Sequence, residues 1–144
     1  MKINSLEKFS AAQAGAGTDT TVVSTNVINT GTTRDAGRGD DVYVNVYSVA
    51  AASGGTSVQV VLQTCAAEDF GSGVVEYPLS GAIPVADIKA TTKLVQQKLP
   101  RGLKKYVRLA YKNVGAVTAV TYNAFLTLGV PQAEDNIVPC TYTF

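Results

Sequence analysis

The stretch "RDAGRGDDVYVNVY" (residues 34–47) concentrates side chains suited to binding. Arg38-Gly39-Asp40 spells an adhesion tripeptide, and Asp35, Asp40 and Asp41 offer oxygens to a calcium ion. A calcium loop needs six to eight oxygens at set spacing and ends on a Glu, which is missing here. The tripeptide recurs by chance in many chains, and an adhesion role needs an extracellular setting. Gly37 and Gly39 give a bend its backbone freedom, and the aspartates close it before Val42 opens an alternating run. These residues read as a turn into a strand. In "QTCAAEDFGSG" (63–73), Glu68 and Asp69 suggest paired carboxylates for acid–base work. No nucleophile or base stands near them, so they read as a solvated loop that Phe70 anchors. Histidine is absent, which removes Ser-His-Asp and Cys-His activation and the usual zinc and iron ligand sets. Cys65 and Cys140 are too far apart in sequence for a zinc cluster or a CxxC pair, and read as two unpaired small hydrophobes in a reducing compartment. The sequence predicts no catalytic, metal or cofactor site, and no enzyme.

The elements that carry these residues are strands. Period-2 alternation recurs between Gly, Pro and Asp clusters. "TTVVSTNVINTG" (20–31) reads as one strand or two short ones. "DVYVNVYSV" (41–49) sets Val42, Val44 and Val46 on one face, with Tyr43, Asn45 and Tyr47 on the other. "SVQVVLQT" (57–64) turns Val58, Val60 and Leu62 inward. Pro78 confines "GVVEYPL" (73–79) to an edge or a strand end. "TKLVQQKL" (92–99), "KYVRLAY" (105–111) and "AVTAVTYNAFLTLGV" (116–130) follow, the last with Val120, Tyr122, Ala124, Leu126 and Leu128 on a shared face. Helical periodicity is lacking: "SAAQAGAG" is Ala-rich but ends in glycines and makes at best one turn, and "IPVADIKATT" (83–92) makes another short turn. The prediction is an all-β single jelly-roll or antiparallel sandwich of about eight strands over residues 1–130. A C-terminal tail (131–144) carries Pro131 and Pro139 and finishes in Tyr142 and Phe144, so it packs on its own domain or on a neighbour. No apolar run approaches a bilayer's span, and "MKINSLEKFS" has no apolar core of a signal peptide, which predicts a chain that stays in the cytoplasm where it is made, with no membrane partner.

Charge is unevenly distributed. Residues 88–112 hold eight Lys or Arg and no acid, namely Lys89, Lys93, Lys98, Arg101, Lys104, Lys105, Arg108 and Lys112, although the chain's net charge is only +1. In "KKYVRLAYK", Lys104, Tyr106, Arg108 and Lys112 share one strand face, and Val107, Leu109 and Tyr111 the other. Three readings stay open for this basic stripe. It is a solvated sheet face, a platform for single-stranded nucleic acid with only one stacking aromatic, or a protein-docking surface with the Arg and Tyr common at hot spots. A carbohydrate-binding sandwich is a further alternative, weakened by the absence of Trp and by scattered Tyr.

Taken in order, "KFSAAQA", "STNVINTG", "GRGDDVYVNVYS", "VVLQTCAAEDFGSG" and "LPRGLKKYVRLAYKN" resemble the jelly-roll capsid cement (decoration) proteins of tailed bacteriophages. The likeness spans about residues 6–130, and its strongest part is the Leu99-Pro100-Arg101-Gly102 turn leading into Tyr106, Arg108 and Tyr111. The tail from Pro131 goes beyond the family's pattern. The resemblance implies a non-enzymatic structural virion protein. It would sit as a homo-oligomer on the outside of a shell built from a major capsid protein of HK97-like fold, clamping adjacent capsomers, with no nucleic acid bound. Dimer and trimer both satisfy it. Arg101, Lys104, Tyr106, Arg108 and Lys112 become the expected interface residues, together with Tyr142 and Phe144 of the tail.

Overall fold

The computed structural model describes residues 8–29 and 42–128. Eleven strands and a single 3-10 turn make up these residues: β1 (Lys8–Ala14), β2 (Gly17–Thr18), β3 (Thr21–Val23), β4 (Ile28–Asn29), β5 (Val42–Gly54), β6 (Ser57–Cys65), β7 (Val75–Pro78), β8 (Ile83–Pro84), the turn Val85–Asp87, β9 (Lys93–Lys98), β10 (Tyr106–Val114) and β11 (Ala116–Leu128). They form two antiparallel sheets. Sheet A runs β1-β11-β5-β9 with β2 beside β11; sheet B runs β3-β10-β6-β7, with β4 beside β10 and β8 beside β6.

The topology follows from nested pairing. β1 pairs β11, inside that β3 and β4 pair β10, inside that β5 pairs β9, and innermost β6 pairs β7. A long antiparallel ribbon of this kind, rolled so that β11 also meets β5 and β10 also meets β6, is a jelly roll. The fold is the all-β sandwich that the alternation predicts.

Valines and leucines of both sheets fill the space between them: Val44 and Val46 from β5, Val58, Val60 and Leu62 from β6, Val107 and Leu109 from β10. The Tyr111 and Tyr122 rings stack across this interior with centroids 4.0 Å apart and so tie β10 to β11. Burial pushes both phenols above their ordinary pKa, and the Tyr111 hydroxyl shares a 2.9 Å hydrogen bond with Ser10. Gly15 is required beside this stack, because a Cβ there would lie 2.2 Å from Tyr122 Cε2.

Several expectations need correction or extension. Ser10–Ala14 belongs to a strand rather than a turn: pairing with β11 overrides the poor strand propensity of alanine, and Ala12, at φ 47°, lies in the register shift between Ser10 and Gln13. β5 runs past Val49 to Gly54, because β11 is long enough to pair with it throughout. The 20–31 segment is two short strands, Pro78 ends the edge strand β7, and 83–92 contains the 3-10 turn. The basic run 88–112 is not one stripe: β9 lies at the edge of sheet A, and β10 lies inside sheet B. The 34–41 turn with its Arg-Gly-Asp and aspartates, Cys140, and the tail with Tyr142 and Phe144 lie outside the described residues. No helix among the described residues is long and apolar enough to cross a membrane.

Candidate functional site on the outer face of sheet B

Register decides what the basic stripe meets. Arg108 stands opposite Gln63 of β6, and Gln63 stands opposite Glu76 of β7, so one row crosses three strands with all three side chains outward. Arg108 Nε donates to Gln63 Oε1 at 2.8 Å, and Gln63 Nε2 donates to Glu76 Oε1 at 2.8 Å. Lys112, further along the same face of β10, closes the line with a 2.7 Å ion pair to Glu76 Oε2. The lysine's hydrogen bond, helped by that of Gln63, holds the Glu76 carboxyl below its ordinary pKa against a smaller opposing effect of burial. Partial burial lowers the Arg108 guanidinium somewhat, with nearby Cys65 opposing; it remains a cation.

The loop after β6 covers this row. The Phe70 ring centre lies 4.0 Å from the Arg108 guanidinium carbon, a cation–π stack over a half-buried charge. To aim the ring there the chain adopts φ 52° at Phe70, a left-handed conformation that costs a bulky residue of order 1–3 kcal/mol. Phe70 N–H to Ala67 O (3.3 Å), Gly71 N–H to Asp69 Oδ1 (3.0 Å) and Cys65 Sγ to Ser72 O (3.1 Å) hold the loop in that shape. Phe70, Val61, Cys65 and Ala110 are also buried, and none of them belongs to the main core. Glu68 and Asp69 are exposed, as a solvated loop requires.

The turn into β10 positions the remaining bases. Leu99 and Leu103 are buried anchors, between which Arg101 and Gly102 are exposed, with Gly102 at φ +80°. Lys104 N–H donates to Thr64 Oγ1 at 2.8 Å, and its ammonium reaches Gly73 O at 2.6 Å. Lys105 Nζ sits 5.3 Å from the Tyr106 ring centre. Of the expected interface residues, Lys104, Tyr106, Arg108 and Lys112 therefore share one side of sheet B, and Arg101 stands at the tip of the adjoining turn. Gln63, Glu76 and the stacking role of Phe70 are additions that the sequence alone does not supply. Gln63 lies on a predicted strand, but its partner on β7 is a matter of register, which the alternation leaves open.

The arrangement holds no nucleophile–base pair, and among the described residues no three His, Cys, Asp or Glu gather as a metal-binding group. What it offers is a face cross-linked by its own side chains, with Arg108 and Lys112 in one line with Glu76 and with Lys104 and Lys105 at the turn into β10. Such a jelly roll belongs to the broad class of β-sandwich proteins. More narrowly, a profile of the Bbp16 family matches residues 9–126, most of the chain, and the chain belongs to that family. No curated protein matches the chain.

Proposed function

We propose that this jelly roll is a structural virion protein, a capsid cement protein docking onto the outside of a phage shell through the outer face of sheet B. The observation that carries the reading is the line Phe70–Arg108–Gln63–Glu76–Lys112, which orders its side chains before any partner arrives. Long charged side chains each lose roughly 0.5–1.5 kcal/mol of rotamer freedom when a contact immobilises them. Here that ordering is complete in the free protein, so more of the docking energy remains for binding. Exposed Arg101, at the tip of the adjoining turn, adds a positive charge that favours an acidic surface. A clamp repeated over a lattice needs only a modest contact per copy, on the order of 1,000 Å², because bridging two capsomers makes the second contact intramolecular. The resemblance to capsid cement proteins supports the same reading, with a major capsid protein of HK97-like fold as the partner.

The test is sedimentation of the purified chain with expanded shells stripped of it. Saturable adsorption is expected, falling at least about tenfold, or about 1.4 kcal/mol, for Arg101→Glu with Lys104→Glu. Arg101→Glu alone, at an exposed turn, serves if the double variant fails to fold. Equal adsorption by a folded variant refutes the assigned face.

A further inference from the structure

The row Phe70–Arg108–Gln63–Glu76–Lys112 has two unlike ends. At one end Lys112 and Glu76 satisfy each other in a 2.7 Å ion pair, and Gln63 takes the other oxygen of the carboxylate. At the other end Arg108 spends only Nε, which donates to Gln63 Oε1 at 2.8 Å. Among the described residues, nothing accepts a hydrogen bond from Nη1 or Nη2. The guanidinium is nonetheless held on two sides. The Phe70 ring centre lies 4.0 Å from Cζ and covers the plane of the group, while the bond to Gln63 sets its rotation within that plane. A planar fork fixed in this way keeps its end-on edge, the pair Nη1 and Nη2, for an acceptor that the described residues do not supply.

Charge points the same way. The row holds two cations and one carboxylate, and Glu76 is taken up by Lys112, so a single positive charge is left over at Arg108. Partial burial opposes that charge, and the group of the chain that offsets it is Cys65, not a carboxylate. A partly desolvated cation gains most from an anion that reaches it directly.

We infer that Arg108 is a receptor for one carboxylate, an Asp or Glu side chain of the docking partner, gripped end-on by Nη1 and Nη2. The inference rests on the outer face of sheet B being the docking face. A carboxylate meets a guanidinium in two parallel N–H···O bonds within one plane, and Phe70 has already fixed that plane. The ordering that such a clamp requires is thus made before the ligand arrives. A nucleic-acid strand repeats its charge along the row and would set a phosphate beside Glu76, whereas one side-chain carboxylate stops at Arg108.

The test begins on the free, isotope-labelled full chain, with NMR of the arginine side chains during titration with sodium acetate at constant ionic strength. Arg108 should shift saturably, with an affinity at least about tenfold above that of the exposed Arg101. Dimethyl phosphate, a probe for the phosphodiester of a nucleic acid, should bind Arg108 several-fold more weakly than acetate. Acetate binding no tighter than at Arg101, or dimethyl phosphate binding as tight as acetate, overturns the inference. The second arm is adsorption to stripped shells. Arg108→Lys keeps the charge and loses the fork, and should lower adsorption at least about tenfold. A folded Arg108→Lys chain that adsorbs like the parent overturns the inference as well; should that variant fail to fold, the acetate arm, which needs no substitution, decides. A parent chain that binds acetate at Arg108 and leaves the shells bare overturns the docking face and the occupant together, an outcome distinct from a site that takes no acetate.

Discussion

The two outer faces of the sandwich solve the same problem in opposite ways. Sheet B engages its outward charges with its own side chains: Arg108 is stacked under Phe70 and bonded to Gln63, and Lys112 is paired with Glu76. Sheet A carries aromatic rings, amides and lysines, with no carboxylate on any of its strands. Asn45 is fully buried on that side, its amide donating to Thr127 Oγ1 at 2.8 Å and its Oδ1 without a partner. The first face holds its long side chains in place through one another. The second keeps a buried amide oxygen, Asn45 Oδ1, unbonded beneath a half-buried aromatic pair. One sequence segment of +8 is dealt to both, so a run of like charge along a chain says little about a patch until strand order is known.

The largest expected difference is between two phenylalanines. Phe70→Ala uncovers Arg108 and should cost about 3 kcal/mol, the low end for a buried Phe. Phe125→Ala, half-buried on sheet A, should cost about 1 kcal/mol. Urea denaturation of the two variants measures both; equal losses would erase the contrast between the faces.

A smaller effect sharpens the picture of sheet B. The Glu76 carboxyl is held below its ordinary pKa, so its ion pair stabilises the fold fully above the usual carboxylate range and loses that contribution as pH falls through the depressed value. Both partners are more than a third exposed (37% and 40%), so screening limits the whole effect to less than about 1 kcal/mol. Glu76→Gln should lower the melting temperature slightly near neutral pH, and the difference should shrink as acid protonates the parent's carboxylate. A gap between variant and parent that widens in acid would contradict this assignment.

Much of the fold is legible in the residues. Alternation locates β5, β6, β9, β10 and β11, Pro78 marks an edge, and the faces of "KKYVRLAYK" fall as the period of two requires. Residues 10–14 are not legible, because an Ala-Gln segment becomes a strand only against β11. At the candidate site the bases and Tyr106 are visible, but their partners are not. Gln63 and Glu76 meet Arg108 and Lys112 only through the pairing of β6 with β7 and β10. Phe70 is visible as an anchor; the cation beneath it is not, since a left-handed φ at Phe70 sets where the ring goes.

The most direct test of the central claim is lysine acetylation footprinting of the chain, free and bound to shells. The account predicts that Lys104, Lys105 and Lys112 lose most of their reactivity on binding, while Lys8 and Lys93 keep theirs. Protection of Lys8 and Lys93 with Lys104, Lys105 and Lys112 unchanged would contradict it.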